Sequence, residues 1–233
     1  GRTSAVSLYV RLKEPASRLG VEGENYWIQT TLDHNDLDEH AEATLAGDPH
    51  HVYLSFPSAK SGDDRFHTAE IISMIRPAGF EAWRGTTSGH RGRDYGELKQ
   101  RIAEGLLRAA DRALPGFAAL VAYSELSTPL TVEHFTSHPG GCFYGLPGTP
   151  ERYRSSPIGV RTPIDGLYLS GSDAGTLGVV GAMMGGLAAA SRALGSAGFL
   201  RIMGQVRGRA RPASDAAPIA LPRPAHRRRA AVV

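Results

Sequence analysis

The chain has 233 residues, 41% of them hydrophobic, enough for one ordinary domain or two small ones with a real core. The formal charge is +3, but the basic excess is concentrated beyond Gly204, so the overall balance gives no argument for a nucleic-acid partner. The single cysteine, Cys142, excludes an internal disulfide and a cysteine-only metal site and suits a reducing compartment.

Leu8, Val10 and Leu12 alternate and predict a strand, followed by a loop over 14–24. YWIQTTL at 26–32 is rich in β-formers and predicts another strand. Residues 33–48 are polar and acidic and read as a surface excursion or a short helix. HVYLSF at 51–56 and TAEIISMI at 68–75 predict strands ended by Pro57 and Pro77. Short strands separated by turns predict a mainly antiparallel sheet. After a short piece at 78–83, residues 94–114 predict an amphipathic helix, with Leu98, Ile102, Leu106, Ala109 and Ala113 at helical spacing. Asp94 is the expected N-cap, Glu97 its capping-box partner, and Pro115-Gly116 the stop.

Residues 117–126 return to a strand-like apolar run, Thr128-Pro129 opens a helix, and 140–154 form a Gly/Pro/Tyr-rich loop. Residues 163–170 predict a final strand and 177–195 a final helix. Residues 205–233 are low in complexity and rich in Ala, Pro and Arg. They cannot bury enough apolar surface to offset ordering entropy and are expected to be disordered. Those arginines could bind phosphates weakly, and a solvated tail with no partner is an equal reading.

The most informative stretch is PIDGLYLSGSDAGTLGVVGAMMGGLAAAS. An apolar run (Leu167, Tyr168, Leu169) ends at Gly171, Asp173 follows, and an apolar segment carries glycines at 178, 181, 185 and 186. This is a strand, a tight turn and a helix start that packs closely against something. A helix N-terminus offers unpaired N–H groups and partial positive charge, a natural seat for an anionic ligand group. Gly171 lets the backbone approach a ligand, and Asp173 accepts hydrogen bonds from hydroxyls. The competing reading is that Asp173 merely caps the helix and the glycines merely allow packing. Residues 177–200 approach the length of a membrane span and contain GxxxG, but Arg192 interrupts them and Ala and Gly dominate; a buried, close-packed helix is the reading.

These residues resemble the C-terminal flavin-contacting element of the phytoene desaturase / carotenoid isomerase / retinol saturase group of FAD-dependent oxidoreductases. The retinol saturase branch is the more similar, with its Gly-X-Asp turn and Gly-hydrophobic-X-Gly-Ala, here Gly171, Ser172, Asp173, Gly178, Val179, Val180, Gly181 and Ala182. The resemblance covers about residues 25–203 and is specific for 126–190. It implies an α/β fold with an α+β substrate-domain portion: a sheet-based portion at 1–125, a C-terminal segment at 126–203 that returns to the FAD-binding domain, and a basic tail at 204–233. The main Rossmann half with its Gly-rich fingerprint would precede residue 1; no such fingerprint stands in these residues, and the chain is read as a fragment.

By that resemblance the cofactor is FAD. Gly171, Ser172 and Asp173 contact its ribityl or pyrophosphate part, and Gly178, Val179 and Val180 face the flavin N1/C2 carbonyl edge. The family's block upstream of the flavin strand corresponds to TPLTVEHFTSHPGGCFYG, where Phe143 and Tyr144 would line the flavin or substrate cavity. Tyr53 and Phe56 in HVYLSF could wall a lipophilic tunnel or be plain core. The implied reaction moves hydride to or from carbon–carbon bonds of a lipophilic polyene or isoprenoid, with no acid or base residue identified. The isolated chain would be inert for want of its FAD-binding half.

No signal-peptide pattern stands at the N-terminus, and the implied location is cytoplasmic, with peripheral membrane contact an option. The alternative is a non-catalytic partner- or lipid-surface-binding module. His50 and His51 are adjacent, so strand geometry would send them to opposite faces, and no zinc-like spacing or nucleophile elbow appears.

Overall fold

The computed structural model describes residues 3–33, 36–62, 65–155 and 159–209. The basic tail beyond Arg209 lies outside the described residues. The chain divides into two compact units, 1–143 and 144–233.

The first unit is built on five strands: β1 (Ser4–Leu12), β2 (Tyr26–Gln29), β3 (His51–Ser55), β4 (His67–Ile75) and β5 (Val121–Ser127). Their order is β2-β3-β4-β1-β5, and every neighbouring pair is antiparallel. The register sets Leu8 opposite Ile71 and Leu126, and Tyr9 opposite Glu70 and Glu125. Because side chains alternate along a strand, Val6, Leu8, Val10 and Leu12 all point to one face, with Val52, Leu54, Ile71, Ile75 and Leu126.

That face is covered by helices. α1 (Leu37–Ala46) is capped by Asp36, whose carboxylate accepts the N–H groups of Asp38 and Glu39. α3 (Arg93–Ala113) supplies the buried Ile102, Leu106, Ala109 and Ala110. α2 (Pro57–Ser61), a single turn after β3, buries none of its residues, and its Lys60 reaches Ser55 on the opposite face. Phe56, Phe80 and Phe117 complete the core at 0% exposure. The opposite sheet face stays open over Tyr9, Trp27 and Tyr123.

Two local expectations differ and a third is met. α3 starts one residue early, with Gly92 as its N-cap, so Asp94 stands inside the first turn; there it accepts the indole N–H of Trp83 at 3.0 Å, and Glu97 pairs with Arg93. The run from Phe117 begins as a helical turn, α4 (Phe117–Leu120), which tucks Phe117 into the core before the chain extends into β5. Thr128 does open a helix, α5 (Pro129–Thr136), through a capping box with Thr131.

The second unit holds α6 (Pro150–Arg154), α7 (Gly178–Ala193) and α8 (Gly198–Arg209). The strand expected at 163–170 is not formed as a ladder. Residues 160–169 fold back on themselves: Leu167 N–H donates to Ile164 C=O, Leu169 N–H to Val160 C=O, and Arg161 bridges Tyr168. Among the described residues of this unit no further strand offers a partner, so Ile164, Leu167 and Leu169 stay exposed. Residues 205–209 are helical rather than disordered, because Phe199, Ile202, Met203 and Val206 carry an apolar stripe through α8.

α7 is not the buried helix its composition suggested. Its small residues (Gly178, Gly181, Ala182, Gly185, Ala189) fall along one side, and Val179, Val180, Met183, Met184 and Leu187 along the other. Only Gly181 and Gly185 are buried, while Val179 is 86% exposed. No described helix is long and apolar enough to cross a membrane.

Candidate functional site

The site is assembled around the turn that joins Ser170 to α7. Gly171 and Gly178, at its two ends, have φ of +87° and +84°, a conformation in which a side chain would be strained. Between them the chain doubles back onto the first two turns of α7. A Cβ on Gly181 would sit 1.8 Å from the Thr176 carbonyl oxygen, and one on Gly185 would sit 2.1 Å from that of Gly171. The close packing demanded by these glycines is therefore met by the turn itself, not by a second helix.

Asp173 does not cap α7. The N-cap is Leu177, which offers no side-chain acceptor, so the first N–H groups of the helix, around Val179 and Val180, carry no side-chain cap. The Asp173 carboxylate instead accepts the Leu146 N–H at 2.8 Å. It lies where a Cβ on Gly145 would be, 2.2 Å from that position, so the loop passes this close only because residue 145 is glycine (φ +64°). Tyr144, just before it, is held at φ +72° and is exposed.

Arg152 completes the assembly. Thr149 accepts the Arg152 N–H and fixes the start of α6, which directs the guanidinium inward to 6% exposure. Its Nη1 donates to the Leu146 carbonyl at 2.5 Å, and its Nη2 to Ser172 O at 2.5 Å and Gly175 O at 3.4 Å. Tyr153, over whose ring the guanidinium lies, hydrogen-bonds Thr176 at 2.9 Å. Sequence reasoning missed Arg152; the one signal was Thr149-Pro150-Glu151, a helix start that fixes where the next side chain points.

Of the residues singled out in the sequence, Gly171, Ser172, Asp173, Gly178, Val179 and Val180 lie together on this turn-and-helix piece. Tyr53 and Phe56 are not brought together. Tyr53 is on the open face of β3, its ring 4.8 Å from Trp27, whereas Phe56 is enclosed between Tyr26 and Phe117. Phe143 closes the first unit, its N–H bonded to Thr3 O. Gly141 lies against the Pro129 carbonyl, whose oxygen is 1.8 Å from where a Cβ on Gly141 would be. Where β5 runs into α5, Tyr9 and Glu125 of the open face, with Leu126, Thr131, Val132 and Phe135, line a groove of about 360 Å³.

The histidine pair does not split across the sheet as expected. His50 precedes the strand, and both His50 and His51 meet the buried His40, at ring distances of 5.4 and 4.1 Å. The Asp33 carbonyl can only accept, so His40 Nε2 donates to it and His40 Nδ1, when neutral, accepts from His50. Among the described residues no group of three or more His, Cys, Asp or Glu is placed to hold a metal ion.

No protein-family profile matches the chain. Among curated proteins it is similar to all-trans-retinol 13,14-reductase of Danio rerio, 28% identical over 203 residues, or 81% of this chain and 33% of that protein. It is 33% identical over 172 residues to the inactive all-trans-retinol 13,14-reductase of the same species, covering 67% of this chain and 28% of that protein. To the chloroplastic prolycopene isomerase of Arabidopsis thaliana it is 25% identical over 122 residues, 52% of this chain and 20% of that protein. By these relatives the chain is similar to the retinol saturase and carotenoid isomerase family. It matches a C-terminal part of such a protein, and spans about a third of the length of the retinol reductases it matches.

Proposed function

We propose that this chain supplies the flavin-contacting C-terminal segment and part of the substrate domain of an FAD-dependent oxidoreductase or isomerase acting on carbon–carbon bonds of a lipophilic polyene or isoprenoid. The observation that carries this reading is the side-chain-uncapped tip of α7 beside a glycine-lined turn. The fit to FAD rests on three features. Nothing lies within 4 Å of where a Cβ on Gly171 or Gly178 would be, so a planar or phosphorylated group can approach the backbone there. The tip of α7 attracts negative charge by about 0.3–2 kcal/mol. Ser172 and Asp173 offer polar atoms to hydroxyls.

Gly171, Ser172 and Asp173 would hold the ribityl or pyrophosphate part, and the amides of Gly178, Val179 and Val180 the N1/C2 edge. FAD, when bound, supplies the redox chemistry. The residues of this chain bind it, fix its orientation and favour anionic charge at one edge.

The lipophilic substrate is assigned to the open sheet face, where Tyr9, Trp27, Tyr53 and Ile72 present apolar surface. Phe56 supports that sheet from behind, and Phe143 and Tyr144 are the further candidates for substrate contact. The exposed stripe of Val179, Val180, Met183 and Met184, with Ile164, Leu167 and Leu169, is the surface offered to a Rossmann half outside these residues. Alone, the 233 residues would be inert. Purified chain carrying no flavin, and a complete gene product that carries stoichiometric flavin and loses it on Asp173→Ala, are the expected results; retention of flavin by the Asp173→Ala protein overturns the assignment.

A second reading is favoured by one observation: a relative named inactive is 33% identical over the matched residues, so the scaffold persists in a protein without that activity. In that reading the chain belongs to a non-catalytic binding protein. A complete gene product that binds retinoid or carotenoid without turning it over would select it.

A further inference from the structure

Arg152 is the one described side chain in the second unit that is both ionised and buried, at 6% exposure. Burying a cation is costly unless a counter-charge or full hydrogen bonding compensates it. Here its acceptors are three neutral carbonyls, those of Leu146, Ser172 and Gly175. Among the described residues no carboxylate forms an ion pair with it, and its Nε–H is buried without an acceptor. A guanidinium that served packing alone would be better replaced by an apolar side chain of like volume. The three carbonyls it gathers belong to two segments, and two of them flank Asp173.

We propose that Arg152 is a positioning residue for the anionic part of the ligand: it clamps the Gly171–Gly178 turn against the Tyr144–Gly148 loop, and its charge, bonded to carbonyls alone, adds to the positive field of the α7 tip. This rests on the cofactor reading above and deepens it. The clamp works through geometry, because the planar fork serves the loop from one Nη and the turn from the other. A lysine keeps the charge but has no fork. A methionine keeps much of the volume and loses both. The two functions of the side chain therefore separate by substitution.

The test uses the complete gene product with Arg152→Lys, Arg152→Met and Asp173→Ala. Two amides report the clamp without reference to the cofactor: Leu146 N–H, bonded to Asp173, and Gly175 N–H, bonded to Gly171 O. In cofactor-stripped protein, hydrogen exchange at both is expected to rise roughly tenfold or more in Arg152→Met and less in Arg152→Lys. FAD titrated into the same proteins is expected to bind roughly tenfold more weakly to Arg152→Met, with Arg152→Lys in between. Unchanged exchange in Arg152→Met overturns the clamp. Faster exchange with unaltered FAD affinity, while Asp173→Ala loses FAD, overturns the positioning role and leaves the cofactor reading standing. If Asp173→Ala also binds FAD as the parent does, the cofactor reading itself has failed and this inference falls with it. Should Arg152→Met not fold, the Arg152→Lys exchange and affinity decide by the same criteria.

Discussion

Asp173 and Arg152 hold the same residue, Leu146, by its two ends: the carboxylate takes its N–H at 2.8 Å and the guanidinium gives to its carbonyl at 2.5 Å. Opposite charges thus lock one loop residue, while Arg152 also reaches back to the carbonyl of Ser172, next to Asp173. Asp173 is consequently more than a ligand-facing acid. Asp173→Asn keeps an oxygen for Leu146 but loses charge, whereas Asp173→Ala loses both. Flavin content of the complete gene product, read from visible absorption, is expected to fall in the order parent, Asn, Ala. Leu146 amide exchange should change little in Asn and rise in Ala. Equal flavin content in all three would sink the assignment of Asp173.

The glycines of α7 make a second prediction. A methyl group at 181 or 185 would overlap the carbonyl oxygens of Thr176 or Gly171, so the turn must lift off the helix. Gly181→Ala and Gly185→Ala are each expected to cost about 1–3 kcal/mol as overpacking and to release flavin. Gly186 has open space around it, and Gly186→Ala is expected to be neutral or to gain up to about 1 kcal/mol from helix propensity. Thermal melts and flavin content of the three variants give the answer, and indistinguishable behaviour would mean that the turn does not lie on this face.

The parts of the fold legible in the sequence are those set by periodicity. Alternation at Leu8, Val10 and Leu12 and helical spacing from Leu98 to Ala109 report directly which side faces the core. The turn at Gly171–Asp173 was legible for a similar reason, since glycine and aspartate have few other uses between an apolar run and a helix. Leu167, Tyr168 and Leu169 were misread as a strand because a ladder depends on partners that the local sequence does not contain. Arg152 was invisible because its burial is decided by carbonyls up to 23 residues away, and an arginine in a Gly/Pro-rich loop otherwise looks solvated. Trp27 and Tyr9 escaped notice because aromatic residues in strands do not announce which face lacks a helix.

Tyr53 and Phe56, three residues apart, are predicted to behave differently. Phe56 is 0% exposed among Tyr26 and Phe117, so Phe56→Ala is expected to cost about 3–5 kcal/mol of stability. Trp27→Ala and Tyr53→Ala remove groups from the open face and are expected to change stability by about 1 kcal/mol, the worth of a cross-strand aromatic pair. In the complete gene product these two should raise KM for a polyene while flavin content stays constant. Binding unaffected by both would move the substrate site off this face.

Glu70 carries the last prediction. It lies on the same open face, opposite Tyr9 in β1 and Ser55 in β3. Burial pushes its carboxyl above the ordinary 4.5, and the charge of Lys60 partly offsets this. For an acid raised in the folded state, the folded chain binds the proton more tightly than the unfolded one. Folding is therefore unaffected below about pH 4, where both states are protonated, and is penalised as pH rises through the unfolded and then the folded value. Glu70→Gln removes that penalty. Its melting temperature is expected to exceed the parent's at pH 7, with the gap closing as pH is lowered toward 4. Lys60→Met in the parent background should widen the gap, since the offsetting charge is gone. A Glu70→Gln protein less stable than the parent at pH 7, or a gap that grows as pH falls, would show that the carboxylate is stabilised on this face rather than strained by it.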